Sequence, residues 1–174
     1  MRTAFAELPS SKDNADGLLI AATSTALLTL LPVAAHQLGL LQHLPDPPAA
    51  VFASDAITES KMAHPIGIPD SLLGLGSYGT TLCLAILSRS HPKARPLLAA
   101  KLVADGGIAS FNVVRQVVSF RKICSWCTGT AIATAAMVYI ARALIRHEAA
   151  RMREGLSAVG RETSQADRDN SRLS

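Results

Sequence analysis

Cys124 and Cys127 stand three residues apart in the stretch KICSWCTGT (122–130), at the mouth of an uncharged run that reaches Ala141. Two thiols at i and i+3 of a helix share a face, with Cβ atoms about 5–6 Å apart. A disulfide requires Cα atoms about 4.4–6.8 Å apart, so this pair can open and close with little backbone movement. A helix starting near Lys122 turns its positive dipole end toward Cys124, and Arg121 and Lys122 add full charges. Both effects favour the thiolate, the form that attacks disulfides. Two other readings stay open on these residues alone. A CxxC in an apolar helix can arise by chance. Zinc needs further ligands, and His36, His43 and His64 could supply them only by tertiary convergence; no metal site is assigned. The third cysteine, Cys83, falls mid-helix in TTLCLAIL and reads as a small buried apolar residue.

The elements that position this pair are legible from where charges are missing. The chain has 174 residues, the size of one domain, and 49% of them are hydrophobic. Mean hydropathy is only +0.27 because the polar ends, 1–16 and 142–174, dilute an apolar middle. Aromatic residues make up 4%, which argues against a large soluble core built on Phe, Tyr and Trp. The net charge of +4 is carried by scattered basic residues without aromatic interleaving, so no nucleic-acid partner is expected. Three cysteines are too few for a disulfide scaffold.

No Asp, Glu, Lys or Arg occurs in 17–45, 71–88 or 123–141. A membrane span needs about 20 apolar residues, with a range of about 17–25, and each gap qualifies. A further segment, 96–118, contains Lys101, Asp105 and Arg115. Lys101 and Asp105 are four apart, so on a helix they share a face and neutralise each other. The expected fold is an all-α membrane protein, a four-transmembrane-helix bundle over 17–145. It follows an N-terminal segment, 1–16, and precedes a polar tail, 146–174, that reads as disordered. A cleaved signal peptide is the competing reading of the first span. Its leader sets Lys12 among Glu7, Asp13 and Asp16, a poor basic region, which favours an uncleaved helix. Pro32 is expected to kink that helix, which a bundle tolerates.

Charge then orients the spans. Arg89, Lys93 and Arg95 lie in the second connection, and Arg142, Arg146, Arg151 and Arg153 open the tail. Residues 42–70 hold Lys61 against Asp46, Asp55, Glu59 and Asp70. The positive-inside rule places both termini in the cytoplasm and residues 42–70, with the CxxC, near the outer face.

At that same depth lies HPIGIPDSLLGLGSYG (64–79). Gly67 and Pro69 make a stiff turn, and Gly74 permits close approach to the following helix. Asp70 and Ser71 sit where an N-cap belongs, and capping is their plain structural reading. The segment GIPDSLLGLGSY, followed by CSWC at the start of a later helix, resembles the vitamin K epoxide reductase family. The likeness covers about 17–145, including helix count, orientation and the long outer loop. It implies a four-helix membrane oxidoreductase whose CxxC exchanges electrons with a quinone of the ubiquinone or menaquinone type. By that likeness Cys124 and Cys127 are catalytic, with Cys127 facing the quinone and Cys124 exchanging disulfides. Asp70, Ser71, Gly74 and Ala131 would border the quinone.

The chain departs from the family at three places. Asp70 replaces the Asn that donates to a quinone carbonyl; an ionised carboxylate can only accept, whereas a protonated one could donate. Ala131 replaces a Tyr that supports the same contact in animal members. The outer loop lacks the family's cysteine pair; Ser54, Glu59 and Ser60 fall near those positions. With no fused thioredoxin-like domain expected either, electrons would come from a separate thioredoxin-like dithiol protein. The implied activity is disulfide formation in envelope proteins at a bacterial inner (cytoplasmic) membrane. The competing reading is a non-catalytic bundle that serves as an assembly or binding protein.

Overall fold

The computed structural model describes residues 11–172; the first ten residues of the N-terminal segment and the last two of the tail lie outside them. Long helices dominate: α1 (Ser11–Gln37), α3 (Asp70–Ser90), α4 (Arg95–Phe120), α5 (Ser125–Ile140) and α6 (Arg142–Arg172), with a single-turn helix, α2 (Ser54–Thr58), in the first loop. Three stretches are long and apolar enough to cross a membrane: Asn14–Gln37, Asp70–Ser90 and Pro92–Phe120. Helix α5 has 16 residues, about 24 Å of rise, short of a hydrocarbon core about 30 Å thick. Taken together with the start of α6, across a 60° bend, it is long and apolar enough to count as a fourth span. The chain is an all-α, multi-pass membrane protein.

Small and hydroxylated residues let the helices approach closely. Helix α1 packs most extensively on α5 and α3. Thr29 on α1 meets Thr130 on α5 at 2.8 Å, and Tyr78 on α3 meets Thr134 on α5 at 2.6 Å. Hydrogen bonds of this kind hold helices together where both surroundings are apolar. The buried core collects Leu19, Ala26, Leu30, Leu98, Leu102, Ala133 and Met137. Outward faces carry Leu28, Leu31, Ile86, Val114 and Ile132, all exposed and suited to lipid.

The pairing expected within α4 forms. Asp105, 3% exposed, is bound by Lys101 and accepts from Ser77 Oγ at 2.9 Å and Thr81 Oγ1 at 2.6 Å. Helix α1 continues past Pro32 as one element.

Two expectations are corrected. Cys83 is exposed, not buried, because hydropathy marks a span without distinguishing its lipid face from its core face. Asp70 and Ser71 do not cap α3; Pro69 holds the N-cap position, and no side chain caps it. Helix α6 runs through Arg172; at its start Leu144 and Ile145 pack on the core, and Arg151 reaches Glu148 one turn back at 3.8 Å.

One end of the bundle is roofed by residues 38–69. The turn before α5 pairs with this loop as an isolated parallel bridge between Phe52 and Ile123. Ala53 N–H donates to the Ile123 carbonyl at 3.1 Å, and Ile123 N–H to the Val51 carbonyl at 3.0 Å. At the end of α1, Gln37 Nε2 donates to the Thr58 carbonyl at 3.0 Å, tying loop to bundle.

Candidate active site

Cys124 is the N-cap of α5, and its Sγ accepts from Cys127 N–H at 3.1 Å. The thiol thus occupies the helix N-terminus itself, where backbone N–H groups and the dipole favour an anion. Cys124 precedes the span and its pKa is lowered. The Cys127 thiol makes the largest contribution as a hydrogen-bond donor, burial opposes it, and the Ser54 hydroxyl and the N–H groups of Cys127 and Trp126 add to the lowering. Arg121 and Lys122 are both exposed, so hydrogen bonds rather than the expected basic pair tune this thiol. No disulfide joins Cys124 and Cys127 in this structure.

Cys124 is fully buried at 0% exposure. Three groups seal it. Gln116 Oε1 accepts from Cys124 N–H at 3.0 Å. Ser54 Oγ accepts from Ser125 N–H at 3.0 Å. Asp46 then ties both serines together, accepting from Ser54 N–H at 2.8 Å, Ser54 Oγ at 2.5 Å and Ser125 Oγ at 2.6 Å. Burial would raise the Asp46 pKa, but the hydrogen bonds from Ser125 and Ser54 outweigh it and lower it. Trp126 Nε1 adds a further tie to the Pro45 carbonyl at 3.1 Å. Ser54 therefore sits against the CxxC.

Beneath this roof lies a cavity of about 450 Å³. Cys127, Asp70, Ser71, Gly74 and Ala131 all line it, so every candidate residue except Cys124 meets in one space. Asp70 and Ser71 are both committed to Gln37. Gln37 Nε2 donates to Asp70 Oδ1 at 3.0 Å, while its Oε1 accepts from Ser71 Oγ at 2.5 Å. Gly74 approaches Leu30 so closely that an added Cβ would stand 2.9 Å from Leu30 Cδ1. A larger apolar groove of about 770 Å³ between α4 and α5 shares Ala109, Val113 and Ala131 with the cavity.

His36 and His43 do not approach the thiols; both face Asp55, at 3.4 and 3.0 Å. No group of three His, Cys, Asp or Glu residues suited to a metal exists among the described residues.

Sequence reasoning missed Gln37, Asp46, Asn112, Arg115 and Gln116. The last three carried a signal: polar residues at i, i+3 and i+4 within an apolar span, which point into a bundle or cavity. Gln37 and Asp46 carried none, because their roles arise from tertiary contacts.

An all-α membrane bundle that opens its last span with a buried dithiol defines a class of membrane thiol oxidoreductase. The vitamin K epoxide reductase family model matches residues 17–142, and the chain belongs to that family. No curated protein matches it.

Proposed function

We propose that the protein is a quinone-linked thiol–disulfide oxidoreductase that supports disulfide formation in envelope proteins. One observation carries the reading: the CxxC straddles the boundary between a sealed thiol, Cys124, and an apolar cavity that Cys127 lines. The residues fit a quinone. The cavity has space for a ring, its walls include Leu30, Val33, Leu73, Ile108 and Phe111, and a thiol stands in its lining. Continuity with the α4–α5 groove supports a quinone with a long apolar tail, of the ubiquinone or menaquinone type. Such a quinone supplies an acceptor for two electrons and two protons.

The chain's own residues do the thiol chemistry. With the pair oxidised, a thiolate of a separate thioredoxin-like dithiol protein attacks Cys124 Sγ, forming a mixed disulfide and releasing Cys127 as the leaving thiolate. The partner's second thiol then attacks its own sulfur in that mixed disulfide, which leaves the partner oxidised and Cys124 and Cys127 both reduced. The helix N-terminus stabilises Cys124 as a thiolate leaving group, which speeds the second exchange. Since Cys124 is buried, the roof formed by Asp46 and Ser54 must open for the partner. Charge placement supports cytoplasmic termini and a CxxC near the outer face of a bacterial cytoplasmic membrane.

Thiol trapping in cells tests this reading. Cys127→Ala should leave Cys124 in a mixed disulfide with a partner that reductant releases. Absence of any adduct would favour the non-catalytic bundle, and labelling of Cys124 only from the cytoplasmic side would reverse the topology.

A further inference from the structure

The cavity poses a problem of hydrogen-bond donors. A quinone carbonyl accepts only, and the two side chains expected to meet it are unsuited: Ala131 has no donor, and Asp70 is held as an acceptor by Gln37. The other polar side chains in the lining are engaged as well. Ser71 donates to Gln37 Oε1 at 2.5 Å, Ser77 donates to Asp105 at 2.9 Å, Tyr78 is paired with Thr134 at 2.6 Å and Thr130 with Thr29 at 2.8 Å; Gln116 accepts from the Cys124 N–H at 3.0 Å through Oε1, which commits its carbonyl oxygen but not its Nε2 donors. Asp105 is an acceptor bound by Lys101.

Two further lining residues, both on α4, make no side-chain hydrogen bond to these groups. Asn112 makes no side-chain hydrogen bond among the described residues. Arg115 makes no ion pair or hydrogen bond among them, and its guanidinium lies 5.7 Å over the Phe111 ring. The spacing of Asn112, Arg115 and Gln116 puts all three on one helix face, and all three line the cavity. Both side chains are half-buried. An amide and a guanidinium left without partners inside a membrane span are costly unless a ligand or water takes their protons.

The geometry points to α4 as the carbonyl-binding helix of this protein. Asn112 and Arg115 donate to the quinone oxygens, replacing the Asn and Tyr that residues 70 and 131 have lost. The guanidinium, always charged, also favours the negative charge that develops on an oxygen as electrons arrive. This inference rests on the proposed quinone site, and it assigns to Arg115 a role other than reaching outward to the membrane surface.

Trp126 is the chain's sole tryptophan and lies between the two cysteines, so with the pair oxidised beforehand its fluorescence reports occupancy without turnover. The full chain, purified in detergent, is titrated with a short-chain benzoquinone while Trp126 quenching is followed. Asn112→Leu should weaken binding about 5- to 10-fold, as for one lost hydrogen bond. Arg115→Met should weaken it about 10- to 100-fold, as for a charged donor. Asn112→Gln, which keeps the amide, should recover part of the loss, and quinone co-purifying with each variant should fall in the same order. Thermal melting identifies any variant that fails to fold, and the conservative Asn112→Gln and Arg115→Lys then carry the comparison. Equal binding by wild type and the folded variants overturns the assignment to α4. Absence of saturable quenching in the wild type overturns the quinone site itself.

Discussion

Removing the Asp46 carboxylate should expose Cys124. Three hydrogen bonds converge on that carboxylate, from Ser54 N–H at 2.8 Å, Ser54 Oγ at 2.5 Å and Ser125 Oγ at 2.6 Å. A hydrogen bond to a charged group contributes about 1.5–3 kcal/mol when well shielded, and a neutral one about 1 kcal/mol. Asp46 is only half-buried, so solvent screening brings each bond toward the lower figure. Asp46→Ala should therefore destabilise the closed roof by about 2–3 kcal/mol, which multiplies its open population roughly 30- to 150-fold. Because Cys124 is fully buried, a maleimide reaches it only through that opening, and its labelling rate should rise by the same factor. Peptide mass spectrometry separates Cys124 from Cys127 and Cys83, and labelling of the denatured chain serves as the reference. The pH dependence has a definite sign. A depressed carboxylate pKa stabilises the roof at pH values above the unfolded value, and that stability is lost as pH falls through the folded value. The roof is thus equally closed across neutral pH, where the change in labelling rate reports the Cys124 thiolate, levelling off below the ordinary thiol value. A labelling rate for Asp46→Ala within twofold of wild type would refute the role given to this carboxylate.

Two further outcomes follow from the same contacts. Ser54→Cys places a loop thiol against Cys124 and should form a 54–124 disulfide under mild oxidation, read as a reductant-sensitive crosslinked peptide; a 124–127 disulfide alone would mean that residue 54 is not seated on the CxxC. Lys101→Met leaves the Asp105 carboxylate buried with only Ser77 and Thr81 as donors, and should cost about 3–5 kcal/mol, lowering the melting temperature in detergent; Lys101→Met combined with Asp105→Leu should recover part of that loss.

What could be read from the sequence was what one residue type or one local spacing determines. Charge-free runs mark spans because ionisable groups are costly in lipid, and the same rule made Lys101 and Asp105 legible as a neutral pair. The CxxC was legible because its chemistry resides in the residues themselves. Inward and outward faces were not: Cys83 sits in as apolar a run as Met137, yet it is exposed while Met137 is buried. In lipid both faces are apolar, so periodicity fades. Asp70 and Ser71 were read as caps because the local rule favours it, but Gln37, more than thirty residues earlier, takes both. Asp46 and Gln37 were invisible as site residues because nothing in the surrounding sequence tells that the Asp46 loop closes over Cys124 or that the end of α1 meets Asp70 and Ser71.

The central claim is that electrons pass from a dithiol through Cys124 and Cys127 to a quinone. Its most direct test is quinone reduction by the purified chain supplied with a reduced thioredoxin-like protein, followed by the loss of quinone absorbance. The account predicts one quinone reduced per partner disulfide formed, with activity abolished in both Cys124→Ser and Cys127→Ser and retained in Cys83→Ser. Quinone reduction that survives either substitution in the CxxC, or a wild-type chain that oxidises the partner without reducing quinone, would contradict it.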